Sequence, residues 1–226
     1  RGALVIDNGD DFRMDPRVPL VVPECNAEAL RQHQGFIANP NCSTIQMVVA
    51  LAPLHRVARV RRIVVSTYQA VSGTGRSAID ELQGQVTALE QGREPEAQVY
   101  PHRIAFNLIP HIGRPTDDMP GYYTEELKMR RETRKILGDA EIQVSATCVR
   151  VPVYNAHSEC VNVQFERKLT AAEAREILSS APGVVVIDDP AKAAYPMPLL
   201  ASGTDPVYVG RIRDDSSAPN CLDLWC

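Results

Sequence analysis

The segment that most limits the possible folds is Arg59 to Ala70, which is rich in β-branched residues and predicts one long strand. Further strands are predicted over 142–153, 160–169, 184–187, 207–212 and 222–226, and helices over 77–91, 124–137 and 170–180. These strands do not alternate strictly with the helices, as they would in a doubly wound domain. The sequence therefore predicts an α/β or α+β fold in which a mixed sheet carries flanking helices.

Local signals define the ends of two of these helices. Thr124 is predicted to cap the second helix at its start, and Gly138 is predicted to end it. Thr170 and Glu173 have the spacing of a capping box, which predicts the start of the third helix.

The first part of the chain contains three short apolar runs, which predict strands over 4–6, 20–22 and 35–38. Asn26 is predicted to cap a short helix over 27–34. The segment 45–54 has helical composition, and Pro53 is predicted to end that helix. Cys42 is therefore expected where a strand ends and a helix begins.

Composition argues against several classes of protein. Of the 226 residues, 44% are hydrophobic and 23% are charged, as in a typical globular protein, and the net charge is -4. The arginine-rich stretches 56–62 and 130–135 are interleaved with apolar residues, which indicates solvated faces rather than a nucleic-acid platform. No apolar run approaches the roughly 20 residues that span a bilayer. We therefore expect neither nucleic acid nor a membrane as a partner.

Six cysteines are present and none forms a C-x-x-C pair, so neither a zinc ribbon nor a thioredoxin-type centre is predicted, and no metal is expected. The part shown has no signal peptide, and we expect reduced cysteines and a cytoplasmic location. The sequence has no initiator Met, opens almost directly into an apolar strand and stops within another. Real termini are usually polar, so we expect a piece of a longer protein.

Cys42 is the first candidate for chemistry. A cysteine at a helix N-terminus faces free N–H groups and the positive end of the helix dipole, which favours the nucleophilic thiolate and would hold an oxyanion. Cysteine is often simply a small buried apolar side chain, and position alone leaves both interpretations open. His157 is the candidate base, although a lone histidine is more often structural.

Other polar candidates are weaker when taken one at a time. Gln69, Arg150, Lys128 and Glu125 lie at predicted strand ends or on a helix face. Glu125 and Lys128 are three residues apart and share one face, and an ordinary surface ion pair is the favoured interpretation. Arg13 lies in a predicted loop, where it could bind an anion or be solvated.

Several blocks of sequence occur in a specific order. They are Val5-Ile-Asp-Asn8 with Phe12-Arg-Met-Asp15, Asn39-Pro-Asn-Cys-Ser-Thr44, Ser66-Thr-Tyr-Gln-Ala-Val-Ser-Gly-Thr-Gly75, Phe106-Asn-Leu-Ile-Pro-His111, and Cys148-Val-Arg-Val-Pro-Val153 with Ala156-His-Ser-Glu159. Together they resemble the aspartate-semialdehyde dehydrogenase family along most of the chain. The resemblance implies a substrate domain of the glyceraldehyde-phosphate-dehydrogenase-like type, preceded by the tail of a Rossmann domain.

The resemblance also implies a reaction. It is the NADPH-dependent conversion of aspartyl phosphate to aspartate semialdehyde and phosphate, which feeds lysine, methionine and threonine synthesis. By resemblance, Cys42 is the nucleophile that forms a thioacyl intermediate, His157 is the acid/base, and Gln69 helps to orient the substrate.

The same resemblance assigns binding roles. Arg150 matches the clamp for the substrate carboxylate, a bidentate role suited to a guanidinium group. Glu125 matches the partner of the substrate ammonium. Three residues match the phosphate-binding group, namely Arg13, Asn41 and Lys128. Two residues match the loop near the nicotinamide of NADP, namely Ser72 and Gly73.

The sequence departs from the family pattern at its ends. It has no G-x-x-G-x-x-G turn, and the family's C-terminal helix is missing. We therefore expect 1–41 to be the tail of the NADP-binding domain and 42–226 to be the catalytic and dimerisation domain of a homodimer or homotetramer. The isolated piece is expected to bind NADP poorly and to turn over little or not at all.

Three alternatives can be weighed. N-acetyl-glutamyl-phosphate reductase shares the architecture and the Cys/His pair, but its cysteine usually follows Gly and precedes Tyr, where this sequence has Asn41 and Ser43. The Ser-Cys-Thr-Thr-Asn context of glyceraldehyde-phosphate dehydrogenase is absent. A non-catalytic dimerisation module is disfavoured because every matched site residue is intact. A catalytic Cys42 is expected to react with thiol reagents at a pH well below the reference thiol pKa of about 8.5. A buried Cys42, or one in a decayed site, is not expected to do so.

Overall fold

The computed structural model describes residues 2–226, within which eight strands and six helices are formed. The strands are β1 (Val5–Asp7), β2 (Phe36–Ala38), β3 (Val60–Gln69), β4 (Gln143–Arg150), β5 (Ser158–Phe165), β6 (Val184–Val186), β7 (Val207–Asp214) and β8 (Cys221–Trp225). The helices are α1 (Pro23–Asn26), α2 (Cys42–Ala58), α3 (Arg76–Glu90), α4 (Thr124–Leu137), α5 (Ala171–Ser179) and α6 (Pro198–Ala201).

Six strands form one mixed sheet in the order β4-β3-β5-β8-β7-β6. The β3–β4 and β6–β7 pairs are parallel, and the β3–β5, β5–β8 and β7–β8 pairs are antiparallel. The chain passes through α3 and α4 between β3 and β4, because two parallel neighbours need a long crossover. The predicted mixed sheet with flanking helices is confirmed.

The first part of the chain forms a separate parallel pair of strands, β1 and β2. The predicted strand over 20–22 is wrong, since Leu20 makes only a single bridge to Ala38. The helix predicted over 27–34 is a 3₁₀ segment, Ala27–Gln32, and Asn26 does not cap it. The Asn26 side chain instead accepts from the Val22 N–H and donates to the Leu20 carbonyl, so it holds the apolar segment in place.

Helix α2 begins at Cys42 and continues through Pro53 to Ala58, so the prediction that Pro53 ends it is wrong. Proline removes one backbone hydrogen bond, but the helix carries a buried apolar face that includes Met47 and Leu51. Burying a side chain of this size stabilises by roughly 1.5–3 kcal/mol, which offsets the local cost.

Helix α2 packs against both parts of the structure. Met47 and Leu51 belong to the main core, together with Ile63 of β3 and Val161 of β5. The neighbouring Val48 belongs to a second buried cluster with Leu20, Val22 and Ala38 from the first part of the chain. One helix therefore fixes the position of the two-stranded sheet relative to the six-stranded one.

Two of the predicted helix boundaries are confirmed. Gly138 ends α4 with φ +66°, a conformation that glycine adopts without strain, and Thr170 and Glu173 form the capping box of α5. The cap of α4 is Tyr123 rather than Thr124. The Thr124 hydroxyl accepts instead from the N–H of Arg114 in the preceding connection.

Candidate active site

Cys42 and His157 lie side by side. Cys42 is the first residue of α2, shortly after β2, and His157 immediately precedes β5. The Cys42 Sγ is 3.2 Å from the His157 Nε2. Nδ1 of His157 accepts a hydrogen bond from the Ala70 N–H at 3.0 Å. A neutral imidazole that accepts at Nδ1 carries its proton on Nε2, so an N–H group faces the sulfur.

The surroundings of His157 keep its ring uncharged. Removal of the ring from water lowers its pKa to about 4, and the positive charge of Arg150 acts in the same direction. A second proton would have to bind Nδ1, where the Ala70 N–H already points. The ring is therefore neutral at pH 7.

The pKa of the Cys42 thiol is raised, which is opposite to the predicted direction. The side chain is open to solvent on one side, but the surrounding protein removes water from the others, and the negative charge of Glu125 adds to the shift. The Ser43 N–H and the charge of Arg150 oppose it. The helix start therefore does not by itself produce a resting thiolate, because desolvation outweighs the helix dipole here.

Glu125 joins the residues on either side of this pair. It is buried near the start of α4, and its Oε1 accepts hydrogen bonds from Asn41 Nδ2 at 2.8 Å and Gln69 Nε2 at 3.2 Å. Asn41 also caps α2, because its Oδ1 accepts from the Thr44 N–H at 3.1 Å. The carboxylate thus ties the end of β3 to the residue before Cys42.

The surface ion pair favoured for Glu125 and Lys128 is not formed, and that interpretation is wrong. Lys128 Nζ contacts Asp10 Oδ2 at 2.7 Å instead, across to the first part of the chain. Glu125 is held by the uncharged partners just described, because its side chain points into the protein while Lys128 stays partly exposed.

Arg150 is the last residue of β4 and is buried. Its Nη1 donates to the Ala70 carbonyl at 2.6 Å, and its Nε has no partner among the residues that the structure describes. Gly73 lies against it, since a Cβ at that position would come within 3.1 Å of both Arg150 Nη1 and His157 Nε2. Ser72 is held by its N–H, which donates to the Tyr154 carbonyl at 3.1 Å.

Arg13 and Lys128 line a small cavity of about 250 Å³ whose walls do not include Cys42. Arg13 is buried, and its three guanidinium nitrogens donate to the carbonyls of Asn39 and Asn8 and to Glu132 Oε1, the last at 3.1 Å. The predicted phosphate-binding cations are therefore together, but each already has an acidic partner.

A larger cavity of about 610 Å³ opens beside Cys42 and His157. Its far wall comes from the segment 196–208 and from Trp225 of β8, and Gln46 lies on the α2 side. This volume is in the range of ligand pockets in proteins. The structure therefore provides room for a substrate or a flat ring next to the sulfur.

Sequence reasoning missed two residues of this region: Gln46 lines the large cavity, and Glu132 accepts from Arg13 and from the Asn41 N–H. Gln46 lies four positions after Cys42 on α2, and Glu132 lies seven positions after Glu125 on α4. Helical spacing places each on the same face as the predicted residue, and this signal could have found them.

Residues 2–226 lack two further features that would bear on function. No cluster of three or more His, Cys, Asp or Glu side chains there could hold a metal ion. No helix in that range combines the length and the apolar composition needed to cross a bilayer.

Comparison with known proteins identifies the family. Residues 51–226 match the family described as semialdehyde dehydrogenase, dimerisation domain, and residues 1–33 match semialdehyde dehydrogenase, NAD binding domain. The predicted boundary between 41 and 42 falls in the interval that neither match covers, and it stays a prediction.

Individual relatives agree with this match. The chain is 54% identical to an aspartate-semialdehyde dehydrogenase of Aquifex aeolicus over 99% of its own length and 66% of that protein. The structure of aspartate semialdehyde dehydrogenase II from Vibrio cholerae, solved also in complex with ASA, superposes with a TM-score of 0.95 at 44% identity, over 99% of this chain and 66% of that one. The Candida albicans enzyme solved with NADP superposes with a TM-score of 0.71 at 25% identity, over 98% and 65%.

The chain thus spans about two thirds of the length of these relatives. The agreement covers almost every residue of this chain and both of its sheets. On this evidence the chain belongs to the aspartate-semialdehyde dehydrogenase family.

Proposed function

We propose that this chain carries the catalytic part of an enzyme that converts aspartyl phosphate to aspartate semialdehyde and phosphate through a thioacyl intermediate on Cys42, for lysine, methionine and threonine synthesis. The observation that carries the proposal is the 3.2 Å approach of Cys42 Sγ to His157 Nε2 at the start of α2. A nucleophilic thiol with an oriented histidine beside it is the arrangement that acyl transfer requires.

Substrate binding would activate the thiol. Glu125 raises the pKa of Cys42, and the ammonium group of an aspartyl substrate bound to Glu125 would cancel that negative charge. The thiolate is then stabilised by Arg150, by the Ser43 N–H and by the Nε2–H of His157. The thiol proton passes to solvent, to which Cys42 is open on one side. The sulfur attacks the acyl carbon, a C–S bond forms, the C–O bond to phosphate breaks, and phosphate leaves with the electron pair.

Other residues hold the substrate in this proposal. Arg150 binds the substrate carboxylate, and Gln69 and Asn41 keep Glu125 oriented toward the ammonium group. Phosphate is held by Asn41, Arg13 and Lys128. The contact between Lys128 and Asp10 is partly exposed and contributes little, so a phosphate can displace Asp10 at low cost.

The cofactor is proposed to be NADP. A family member solved with NADP and the cavity beside Cys42 support a nicotinamide ring at that position, near the loop with Ser72 and Gly73. The sequence has no glycine-rich turn that could hold the cofactor phosphates. Its residues are therefore proposed to contact only the nicotinamide end of NADP. When bound, NADPH supplies the hydride that reduces the thioester. The Nε2–H of His157 hydrogen-bonds the oxygen of the thioester carbonyl as negative charge develops there, and it stabilises the Cys42 thiolate when the C–S bond breaks.

The assembly is proposed to be a homodimer or homotetramer formed through residues 42–226, with 1–41 as the tail of the cofactor domain. The match to a dimerisation domain over 51–226 supports this organisation. We place the enzyme in the cytoplasm, where thiols stay reduced, and the six cysteines are all free in the structure.

The test uses a completed chain, defined as this sequence joined to the third of the Aquifex aeolicus relative that it does not cover. NADP reduction is followed with aspartate semialdehyde and phosphate. We expect the completed chain to be active, the given chain alone to be nearly inactive, and Cys42→Ser to abolish activity. Cys25→Ser, which changes a thiol that does not line the cavity beside Cys42, is the matched control and is expected to stay active.

Two outcomes would count against the proposal. Activity that survives Cys42→Ser would remove the thioacyl mechanism. A completed chain that is inactive with aspartate semialdehyde but active with N-acetyl-glutamate semialdehyde would identify the N-acetyl-glutamyl-phosphate reductase reaction instead.

A further inference from the structure

Helix α4 carries a polar stripe along one face. Glu125, Lys128, Glu132 and Lys135 follow one another at spacings of three, four and three residues, which places them in a row. Each makes its main contact outside the helix. Glu125 and Lys128 belong to the proposed substrate site, whereas Glu132 and Lys135 have no role in it.

Glu132 makes two short contacts although it is almost completely buried, with 1% of its surface exposed. Its Oε1 accepts from Arg13 Nη1 at 3.1 Å, and its Oε2 accepts from the Asn41 N–H at 2.6 Å. Asn41 is the cap of α2 and directly precedes Cys42. One carboxylate therefore joins the loop of Arg13 to the start of the helix that presents the sulfur.

Lys135 holds the same loop from one turn further along α4. Its Nζ donates to the carbonyls of Arg13, Asp15 and Val18 at 2.7, 2.8 and 2.9 Å. These three bonds use all three ammonium protons. Lys135 therefore fixes the path of the loop by hydrogen bonds to its backbone. The backbone of Arg13 is thus held by Lys135 while its side chain is held by Glu132.

We infer that Glu132 is a positioning residue for the proposed reaction, which sets Arg13 and the Asn41–Cys42 peptide in one fixed geometry for the phosphate-bearing carbon. The inference rests on the proposed function. A carboxylate is needed because both of its oxygens must accept, one from a cation and one from a backbone N–H. Glutamine has only one accepting oxygen, so it can satisfy Asn41 or Arg13 but not both.

The experiment compares Glu132→Gln with the unchanged completed chain in the direction of NADP reduction. We expect the KM for phosphate to rise by about tenfold or more, as the loss of a buried charge-assisted hydrogen bond predicts, with a smaller change in the KM for aspartate semialdehyde. Glu176→Gln, an exposed change on α5, is the control and is expected to alter neither constant. Equal changes in both KM values, or a loss of folded protein alone, would contradict a positioning role.

A double-mutant comparison separates positioning from general stability. In a chain that already carries Arg13→Gln, Glu132 keeps only its contact with the Asn41 N–H, so Glu132→Gln is expected to add less than about threefold to the phosphate KM, well below its effect alone. A full additional effect in the double variant would overturn the inference.

A readout that needs no turnover keeps the two proposals distinguishable. The rate at which iodoacetamide alkylates Cys42 is measured in the completed chain with and without Glu132→Gln. We expect the rate to change by several-fold, because the Asn41 cap and the start of α2 lose their anchor. If the completed chain is inactive with every substrate but this change occurs, the proposed function fails, whereas the positioning of the Asn41–Cys42 peptide by Glu132 stands for whatever reaction Cys42 performs. An unchanged alkylation rate removes the positioning role.

Discussion

At the scale of single residues, the protonation states of Cys42 and His157 are set by what surrounds them. Both side chains lose water, which favours the neutral thiol and the neutral imidazole. The resting pair is therefore uncharged rather than a thiolate and an imidazolium. We expect Cys42 or His157 to become charged only when a bound substrate changes the electrostatic field that Glu125 and Arg150 produce.

The titration of His157 provides a direct prediction. An unfolded histidine has a pKa of about 6.5, and the folded ring has a pKa of about 4, so the unfolded state binds more protons between these values. The contribution of this residue to the free energy of unfolding is complete above about pH 6.5 and is lost as the pH falls toward 4. NMR of the ring carbons is expected to show a midpoint near pH 4. A midpoint at 6 or above would contradict the structure.

A second prediction concerns the thiol. Because burial and Glu125 raise its pKa, alkylation of Cys42 in the substrate-free protein is expected to have its midpoint above the range of a free cysteine, whose pKa lies between about 8.5 and 9.0. Glu125→Gln removes a negative charge and is expected to move the midpoint to lower pH. The measurement is the iodoacetamide rate against pH with peptide mass analysis. A midpoint well below 9.0 would show that the helix start outweighs burial after all.

Gly73 allows a third prediction with an internal control. An alanine Cβ there would press on Arg150 Nη1 and His157 Nε2 at 3.1 Å, so Gly73→Ala is expected to lower the activity of the completed chain by about tenfold or more. Gly84 lies inside α3, where a Cβ would meet nothing within 4 Å. Gly84→Ala is expected to leave activity unchanged and to stabilise by up to about 1 kcal/mol. Equal activity of the two variants would show that Gly73 is not close to the chemistry.

At the scale of elements, β7 shows how a strand shapes the large cavity. A Cβ at Gly210 would come within 2.1 Å of the Ile187 carbonyl oxygen and 2.5 Å of Pro196 Cδ. The close approach lets the chain that follows β6 cross the strand before it lines the cavity with Pro196 and Met197. Any side chain at position 210 would block this crossing.

Gly210→Ala is therefore expected to lower the free energy of unfolding by about 2 kcal/mol or more, because backbone must move to relieve the overlap. Chemical denaturation followed by circular dichroism measures the change, with Gly84→Ala as the comparison. A loss below about 0.5 kcal/mol would mean that the crossing segment moves freely.

At the scale of the whole molecule, α2 is shared by both buried clusters. Val48 faces the cluster with the two-stranded sheet, whereas Met47 beside it faces the main core. Trp225, the only tryptophan, lies on β8 in the six-stranded sheet. A helix common to both parts is expected to make them unfold together.

Val48→Ala tests this coupling. The change removes buried methyl groups from the small cluster and is expected to destabilise by about 1–3 kcal/mol. Trp225 fluorescence and circular dichroism are expected to shift together to lower denaturant. A Trp225 transition that stays in place while another moves would show that the two parts unfold independently.

The sequence by itself determined the order of elements and the residues with chemistry. Apolar runs and β-branched residues predicted the long strand β3 and the mixed sheet, and capping signals located the start of α5 and the end of α4. These features depend on neighbours within a few positions along the chain, so local patterns are enough to predict them. Ordered sequence blocks pointed to the family, and the comparisons confirm it.

Tertiary structure alone decided the direction of the pKa shifts, the course of α2 past Pro53, and the partners of the charged residues. Glu125 and Lys128 are neighbours on a helix, yet one binds Asn41 and the other Asp10. Arg13 is paired with Glu132, 119 positions away in the chain. Desolvation and ion pairing depend on which atoms come within a few ångströms after folding, and local sequence does not contain those distances.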